Sequence, residues 1–353
     1  MSTRTLFHLT EYTLRSWIKL VKPSLILSNN PSTQDGTGAQ LARTVSVIAT
    51  ALYCRLPFYF TPLKSVCVTP LDSFQTEGEM KAYTKVLNEI ISGALASQDL
   101  HTSKLKHSDV YKIKDLNIRS LIILSIKSRL TQRSIEVSCD TAFAISELNV
   151  GIMQLCNEFF ESLLVEIACR LGEPRQREIQ IKMQNAVILH YRLGISKKEV
   201  VKGEEVPRWQ TERYFLNALQ ELLSAKEERS NFSKILVLTD APSTRMKYKP
   251  LESQLEFWKT QTDGILGDSI WIEGDSLDWI ADLKYKKKGI TIEILRGGNP
   301  LEAFYIMSKS RALIISYSSF SYLAALVGNV QRVYCPPRFL HQLPQNWVKV
   351  KDH

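Results

Sequence analysis

In the second half of the chain, short apolar runs alternate with segments in which apolar residues recur at helical spacing. The apolar runs predict strands over residues 186–190, 234–239, 269–272, 291–295, 312–316 and 331–334. The intervening segments predict helices over residues 212–224, 251–260, 276–283, 300–308 and 320–327. Strands that alternate with helices are typical of βαβ units, so we expect a parallel sheet with helices on both faces.

The first half of the chain has a less regular pattern. Its predicted helices cover residues 39–52, 78–95 and 150–171, and its predicted strands cover the apolar runs 24–28 and 120–126. The polar, turn-rich run 29–38 predicts a loop between the first strand and the first helix. The basic stretch 99–114 has no clear period and receives no predicted element.

A change of pattern near residue 172 marks the expected domain boundary. The predicted helix 150–171 ends before Gly172, Glu173 and Pro174, because proline does not continue a helix. Polar segments that contain proline are also typical of linkers. We therefore expect two α/β domains, residues 1–175 and residues 176–353, for which a chain of 353 residues is long enough.

Composition narrows the class of protein further. With 44% hydrophobic and 23% charged residues, the chain has the composition of a globular protein, which excludes disorder and coiled coil. The six cysteines lie far apart without a CxxC pair, so we expect reduced thiols. The chain shows neither a signal-peptide pattern nor an apolar stretch long enough to span a membrane. We therefore expect a soluble, cytoplasmic protein.

Polar side chains follow three strands of the predicted C-terminal sheet. Arg192 follows the first strand, Asp240 follows the second, and a run of hydroxyls follows the strand that begins at residue 312. In a doubly wound sheet, ligands bind outside the carboxyl ends of the strands. A guanidinium suits a diphosphate, a carboxylate accepts hydrogen bonds from a base or ribose, and hydroxyls at a helix start bind phosphate oxygens. These residues predict a nucleotide site that needs no metal ion.

The same residues also have structural interpretations. Arg192 would form a surface ion pair, and Asp240 would bond to its own backbone in a turn. Ser318 and Ser319 would do no more than cap a helix, and His190 would be a hydrogen-bonded core residue. Their common position after strands of one predicted sheet favours the site interpretation.

Four short segments carry a resemblance to a known family: 34–43 (QDGTGAQLAR), 187–194 (VILHYRLG), 236–240 (LVLTD) and 314–326 (IISYSSFSYLAAL). They resemble the fucosyltransferase superfamily, which has a GxGNQ loop, an HxRRxD segment, an SDD-like strand end and a helix that starts SS/TFS. The resemblance implies a GT-B architecture, with two Rossmann-like domains that face each other across a cleft. Residues 1–175 would then form the acceptor-side domain, and residues 176–353 would bind the nucleotide sugar.

The resemblance also implies roles for individual residues. Arg192 matches the arginine that neutralises the departing diphosphate, which makes it the expected catalytic residue. The donor-binding residues that it implies are Gly36, Gly38, Gln40, His190, Asp240, Ser318, Ser319, Phe320 and Ser321. It further implies GDP-fucose as the favoured donor, a glycan hydroxyl as the acceptor, and no cofactor or metal ion.

This chain departs from the family pattern at three positions. Leu193 and Ile195 stand where the family has a second arginine and an acid, and Ala39 stands where the loop has an asparagine. Candidates for the missing positive charge are the three basic residues after Asp240, namely Arg245, Lys247 and Lys249. The alternative is a donor other than GDP-fucose.

The sequence leaves the general base open. Asp35 lies beside two glycines and is the first candidate to accept the acceptor hydroxyl proton, although Asp-Gly is also a common turn. Glu204 and Glu205 are further candidates. A strongly dissociative transition state would need no essential carboxylate.

A net charge of +9, from 45 Lys and Arg against 36 Asp and Glu, favours polyanionic partners in general. One competing function is nucleic-acid binding by the cluster Lys284, Lys286, Lys287 and Lys288 beside Tyr285. No RNP, KH or zinc pattern accompanies this cluster, so we do not expect a nucleic-acid partner. A third interpretation is a protein that binds glycans without catalysis.

Overall fold

The structure, a computed structural model, describes residues 25–31, 36–54, 56–64, 66, 76–98, 108–113, 118–139, 156–193, 198–201, 204–207, 210–224, 232–255, 270–272, 274–281, 289–339 and 343–350. The first nine elements are β1 (Leu25–Asn29), α1 (Thr37–Cys54), β2 (Phe58–Tyr59), α2 (Glu77–Ala96), β3 (Ser108–Ile113), α3 (Ile118–Thr131), β4 (Ser134–Cys139), α4 (Asn157–Leu171) and α5 (Glu173–Met183). The remaining strands are β5 (Ala186–Tyr191), β6 (Lys198–Val201), β7 (Glu204–Pro207), β8 (Lys234–Thr239), β9 (Met246–Tyr248), β10 (Ile270–Ile272), β11 (Thr291–Arg296), β12 (Ala312–Ile314), β13 (Arg332–Cys335) and β14 (Val348–Lys349). The remaining α-helices are α6 (Glu212–Ser224), α7 (Asp278–Ala281), α8 (Pro300–Ser308) and α9 (Ser319–Val327), and a short 3-10 helix covers Glu252–Gln254.

The N-terminal sheet is parallel and has the strand order β2-β1-β4-β3. The prediction of a strand over 120–126 is wrong, because these residues belong to helix α3. Leu121 and Leu124 are buried, whereas Ile123 and Ile126 on the opposite side of the helix are exposed. Apolar residues on both sides of a helix hide its period, and an unbroken apolar run then looks like a buried strand.

The C-terminal sheet has six parallel strands in the order β11-β8-β5-β12-β13-β14. Numbered along the chain, this order is 3-2-1-4-5-6, the order of the Rossmann fold. Alternate residues of β5 enter two different cores: Ile188 packs with α8 and α9, and Leu189 packs with α6. The predicted α/β class with two parallel, Rossmann-like sheets is therefore confirmed.

One predicted strand of the C-terminal half lies outside this sheet. The run 269–272 contributes β10, which pairs antiparallel with β9 in a separate two-stranded ribbon. Strand β9 was not predicted, because its three residues Met246, Lys247 and Tyr248 are too short a run to establish an alternating pattern. The ribbon follows directly from the carboxyl end of β8.

A single hydrophobic core connects the two sheets. It contains Leu27 and Val137 of the first sheet, Ile188 and Leu313 of the second, and residues of the helices between them. Helix α1 packs against α9, and α4 packs against α8. The contact between α1 and α9 brings the N-terminus of α1 to the carboxyl edge of the second sheet.

The expected linker at residues 172–177 is helical. Helix α4 ends at Gly172, whose φ of 74° turns the chain, and α5 begins at once with Pro174 in its first turn. Proline is favoured there because the first N–H groups of a helix have no partner within it. Arg175 of α5 then forms a salt bridge with Glu302 of α8. The division of the chain at residue 175 stays a prediction.

No helix in the described part of the chain is long and apolar enough to cross a bilayer. Cys156, Cys169 and Cys335 are free thiols. This agrees with the expectation of reduced cysteines for these three residues.

Candidate functional site

The Arg192 guanidinium lies at the point where the chain order of the C-terminal sheet reverses. Arg192 directly follows β5, and Ser318 lies shortly after β12, the strand beside β5. Nη1 of Arg192 donates a hydrogen bond to Oγ of Ser318 over 3.1 Å. The crevice between the ends of two such strands is where ligands bind in open α/β sheets. We call Arg192, Asp240 and Ser318 the strand-end site.

Asp240 supports Arg192 from the other neighbouring strand, β8. Its Oδ2 lies 3.3 Å from Nε of Arg192, and its Oδ1 accepts the backbone N–H of Leu193 at 3.3 Å. The Arg192 side chain is 36% exposed and that of Asp240 is 13% exposed. The carboxylate therefore lies behind the guanidinium and orients it. Since part of the guanidinium stays exposed, it remains accessible to an anion.

Helix α9 adds the partial positive charge of its N-terminus to this site. Ser318 is its N-cap, with extended backbone (φ −144°, ψ 123°) and an Oγ that accepts the Phe320 N–H at 3.3 Å. Ser319 follows in the first turn and is half-buried. The partial positive charge at a helix N-terminus attracts anions.

Ser321 does not fit its expected role as a donor contact. It is fully buried, and its hydroxyl donates to the Ser318 carbonyl at 3.3 Å. This bond stabilises the first turn of α9, so Ser321 shapes the site without reaching its surface.

His190 fits the structural interpretation given above. It is buried near the end of β5, and its Nδ1 lies 2.9 Å from Oγ of Ser316. Burial, with a smaller effect from the Arg192 charge, lowers the pKa of His190 to about 3. The imidazole is therefore neutral near pH 7. It holds the segment after β12 in place beneath the strand-end site.

The glycine-rich loop meets the same region from the N-terminal sheet. A Cβ on Gly38 would lie 2.6 Å from both Cβ and N of Phe320, so only glycine allows α1 to approach α9 this closely. Gly36 accepts the Gln40 N–H at 3.1 Å in the first turn of α1, and the Gln40 side chain is buried. The N-termini of α1 and α9 thus lie side by side. Asp35 lies outside the described residues.

The other predicted residues belong to other elements or lie outside the described residues. The Arg245 guanidinium lies 4.9 Å above the ring of Trp271 in β10. Lys247 lies in β9, and Lys249 follows that strand. Glu204 and Glu205 lie in β7, which pairs with β6, and their side chains are not described. The lysine cluster at 284–288 also lies outside the described residues.

Arg296, the last residue of β11, is not among the residues predicted from the sequence. Its guanidinium donates to the Ala241 carbonyl at 2.7 Å and to the Ser276 carbonyl at 3.1 Å, and so joins the loop after β8 to a neighbouring loop. Arg296 meets the same criterion as Arg192, because both are charged residues at the carboxyl end of a strand of this sheet.

Tyr191 and Asp275 were also missed. The Tyr191 hydroxyl donates a hydrogen bond to the Asp275 carboxylate, and burial, followed by this bond, raises the pKa of Tyr191. No signal in the sequence connects two residues that are 84 positions apart. Within the described parts of the chain, no group of three or more His, Cys, Asp or Glu residues is placed to hold a metal ion.

No family model and no curated protein matches this chain. Among solved structures, it is similar to POFUT1 in complex with GDP-fucose, with 10% identity, a TM-score of 0.38, and coverage of 92% of this chain and 97% of the other. It is similar to the E. coli heptosyltransferase WaaC with ADP-2-deoxy-2-fluoro heptose, with 10% identity, a TM-score of 0.34, and 93% coverage of both chains. It is also similar to S. aureus MnaA with UDP, with 12% identity, a TM-score of 0.26, and coverage of 95% and 64%. Likenesses this distant do not establish an activity.

Proposed function

We propose that this protein is a glycosyltransferase that moves a sugar from a nucleotide-sugar donor to a glycan hydroxyl, with GDP-fucose as the favoured donor. The observation that carries the proposal is the hydrogen bond from Arg192 to Ser318, the N-cap of α9. It places a permanent cation and a helix N-terminus together at the crevice of a Rossmann sheet. Both groups favour a diphosphate at that position.

The proposed mechanism depends on stabilising the leaving group. As the bond from sugar C1 to the diphosphate oxygen breaks, negative charge grows on the diphosphate and the sugar ring becomes oxocarbenium-like. Arg192 and the positive end of the α9 helix dipole stabilise that charge without any rearrangement, because Asp240 and Ser318 already hold the guanidinium. Independence from a metal ion is part of the proposal, since these groups would do the work of a bound cation.

The choice of GDP-fucose rests on the motif resemblance alone. Leu193 favours a second candidate, a related transferase that uses another nucleotide sugar. Leu193 stands at the position of the superfamily's second arginine. Its side chain is buried, and only its backbone N–H interacts with Asp240. Asp35 is the first candidate for the general base. The acceptor is proposed as a class of molecule, a glycan.

A thermal-shift screen tests the donor. The protein is heated with GDP, UDP, CMP, dTDP and their common sugar conjugates, with and without EDTA. A ligand that binds only the folded state raises the melting temperature. We expect stabilisation by GDP and GDP-fucose that EDTA does not remove. A preference for another nucleotide would change the donor, and no response to any nucleotide would refute the proposal.

Replacement of Arg192 by alanine tests the assigned role. Loss of one contact to a developing negative charge is expected to slow transfer about 100- to 1,000-fold. Arg177→Ala is a matched control, because Arg177 is also paired with a carboxylate, that of Glu173 at 2.9 Å, but lies on α5. Arg192→Ala with the turnover of the control variant would rule out this assignment.

A further inference from the structure

Helix α3 is apolar on two opposite sides. Leu121 and Leu124 are buried beneath the helix, which packs against β1 and β4. On the other side, Ile123, Ile126 and Leu130 are 64%, 40% and 80% exposed. At 100° per residue these three side chains project within about 60° of one another, opposite the buried pair. We call them the outer stripe.

Basic residues flank the outer stripe, and no acidic residue lies on the helix. The sequence of α3 is IRSLIILSIKSRLT, so its only charged residues are Arg119, Lys127 and Arg129. On the helix surface Lys127 lies to one side of the stripe and Arg129 to the other. The Lys127 ammonium lies 4.6 Å from the ring centre of Tyr111 on the edge strand β3. An exposed apolar stripe between cations is typical of a helix that lies in the surface of an anionic bilayer.

We propose that the outer stripe of α3 docks this protein on an anionic membrane surface, with the helix axis in the plane of the membrane. The three aliphatic side chains would leave water for the boundary between headgroups and acyl chains. Lys127 and Arg129 would remain at headgroup level, where they are attracted to anionic lipids. The net charge of +9 for the whole chain acts in the same direction.

The charges of α3 disfavour a second copy of the chain as the occupant. A two-fold interface brings the same surface of both partners together. Two outer stripes face to face would place Lys127 and Arg129 against their own counterparts, and α3 provides no carboxylate to compensate them. An anionic surface supplies the opposite charge, so it fits both the apolar and the basic part of the patch.

Vesicle co-sedimentation of the full chain tests the proposal. One set of vesicles contains phosphatidylcholine alone, and the other contains about a third phosphatidylglycerol. We expect binding to the anionic vesicles that is at least about tenfold stronger than to the neutral ones and that weakens as salt is added. Ile123→Ser combined with Leu130→Ser is expected to reduce this binding about tenfold or more. Lys127→Gln combined with Arg129→Gln is expected to reduce it about fivefold per charge.

The chain offers matched controls for both double variants. Val165 and Ile181 are exposed aliphatic residues on α4 and α5, so Val165→Ser with Ile181→Ser removes similar apolar surface elsewhere. Lys85→Gln combined with Arg177→Gln removes two exposed cations from α2 and α5. Because none of these residues belongs to the strand-end site, nucleotide binding is expected to stay unchanged in every variant. The docking proposal and the proposed function therefore succeed or fail separately.

Three results would overturn the proposal. The first is no binding to anionic vesicles. The second is equal binding of the outer-stripe and control variants. The third is a dimer in sedimentation velocity that Ile123→Ser with Leu130→Ser dissociates, which would assign the outer stripe to a second copy.

Discussion

The Arg192 guanidinium donates a hydrogen bond to the Ser318 hydroxyl across 126 positions of the chain. The same oxygen accepts the Phe320 N–H, so Ser318 caps α9 and holds the arginine at the same time. Helix stability and the position of the candidate catalytic cation therefore depend on one hydroxyl. This double use distinguishes Ser318 from an ordinary N-cap.

Ser318→Ala is expected to lower both stability and nucleotide affinity. Loss of an N-cap typically costs about 1 kcal/mol of unfolding free energy. Thr76→Ala is the matched control, because Thr76 caps α2 by accepting the Glu79 N–H at 3.2 Å. Denaturant unfolding should show a similar loss for both variants, whereas calorimetric titration should show weaker GDP binding only for Ser318→Ala. Equal GDP affinities of the two variants would show that the Ser318 hydroxyl caps α9 but does not contribute to nucleotide binding.

Asp240→Asn is expected to lower turnover without weakening nucleotide binding. The substitution removes a negative charge from beside Arg192, so a diphosphate should bind as tightly as before or several-fold more tightly. The guanidinium also loses its ionic support, so the transfer rate should fall about tenfold. Steady-state kinetics would show a lower kcat with an unchanged or lower KM. Asp109→Asn, which weakens an exposed pair with Arg133, should leave both constants unchanged, and a higher KM for Asp240→Asn would contradict the positioning role.

Gly38→Ala is expected to destabilise the protein by about 1–3 kcal/mol, the usual cost of overpacking. The added Cβ would lie 2.6 Å from the backbone N of Phe320, so α1 and α9 would have to separate. Gly78→Ala in α2 is the control, since its Cβ would meet nothing closer than Oγ1 of Thr76 at 3.9 Å. That variant should be neutral or gain up to about 1 kcal/mol from helix propensity. Chemical unfolding of both variants measures the difference, and equal stabilities would show that α1 and α9 are not closely packed in solution.

The low pKa of His190 predicts a loss of stability in mild acid. The folded-state pKa is about 3, whereas an unfolded histidine titrates near pH 6.5. Between these values the unfolded chain binds one more proton, so stability falls as the pH drops below about 6.5, by up to about 1.4 kcal/mol per pH unit. His190→Asn should lack this contribution and show a shallower decline of unfolding free energy between about pH 6 and pH 4. Parallel curves for the two proteins would show that His190 is not buried in its neutral form.

The C-terminal half of the fold followed closely from its sequence, and in the N-terminal half the sequence predicted β1, α1, α2 and α4 but not the remaining elements. The predicted bounds of α6, α8 and β8 agree with the structure residue for residue. Helix α6 has one buried side, so its apolar period is clear, and β8 is buried on both faces, so its short unbroken apolar run indicates a central strand. Helix α3 has apolar residues on its exposed side as well, and β3 has only six residues within a basic stretch. In both cases the local pattern of apolar and polar residues did not distinguish buried from exposed side chains.

The sequence predicted which residue types lie at the candidate site, and the structure determined which of them contact one another and which are buried. The position of Arg192, Asp240 and Ser318 after strands of one sheet predicted that they lie together, and the structure joins them by hydrogen bonds and an ion pair. The same criterion did not distinguish Ser321 and His190, whose polar atoms are satisfied inside the protein. Whether a polar side chain reaches a ligand depends on its burial, which the position after a strand does not determine.

The sequence by itself determined the alternation of strands and helices, the parallel C-terminal sheet and the polar chemistry at its carboxyl edge. Each of these depends on residues close together in the chain, where period and spacing express local geometry. Only the tertiary structure decided that Asp240 lies behind Arg192, that Gly38 faces Phe320, and that the apolar outer stripe of α3 faces outward. Those relationships join distant parts of the chain or depend on what covers a surface. Packing of the whole molecule decides them, because no local period encodes which surfaces meet.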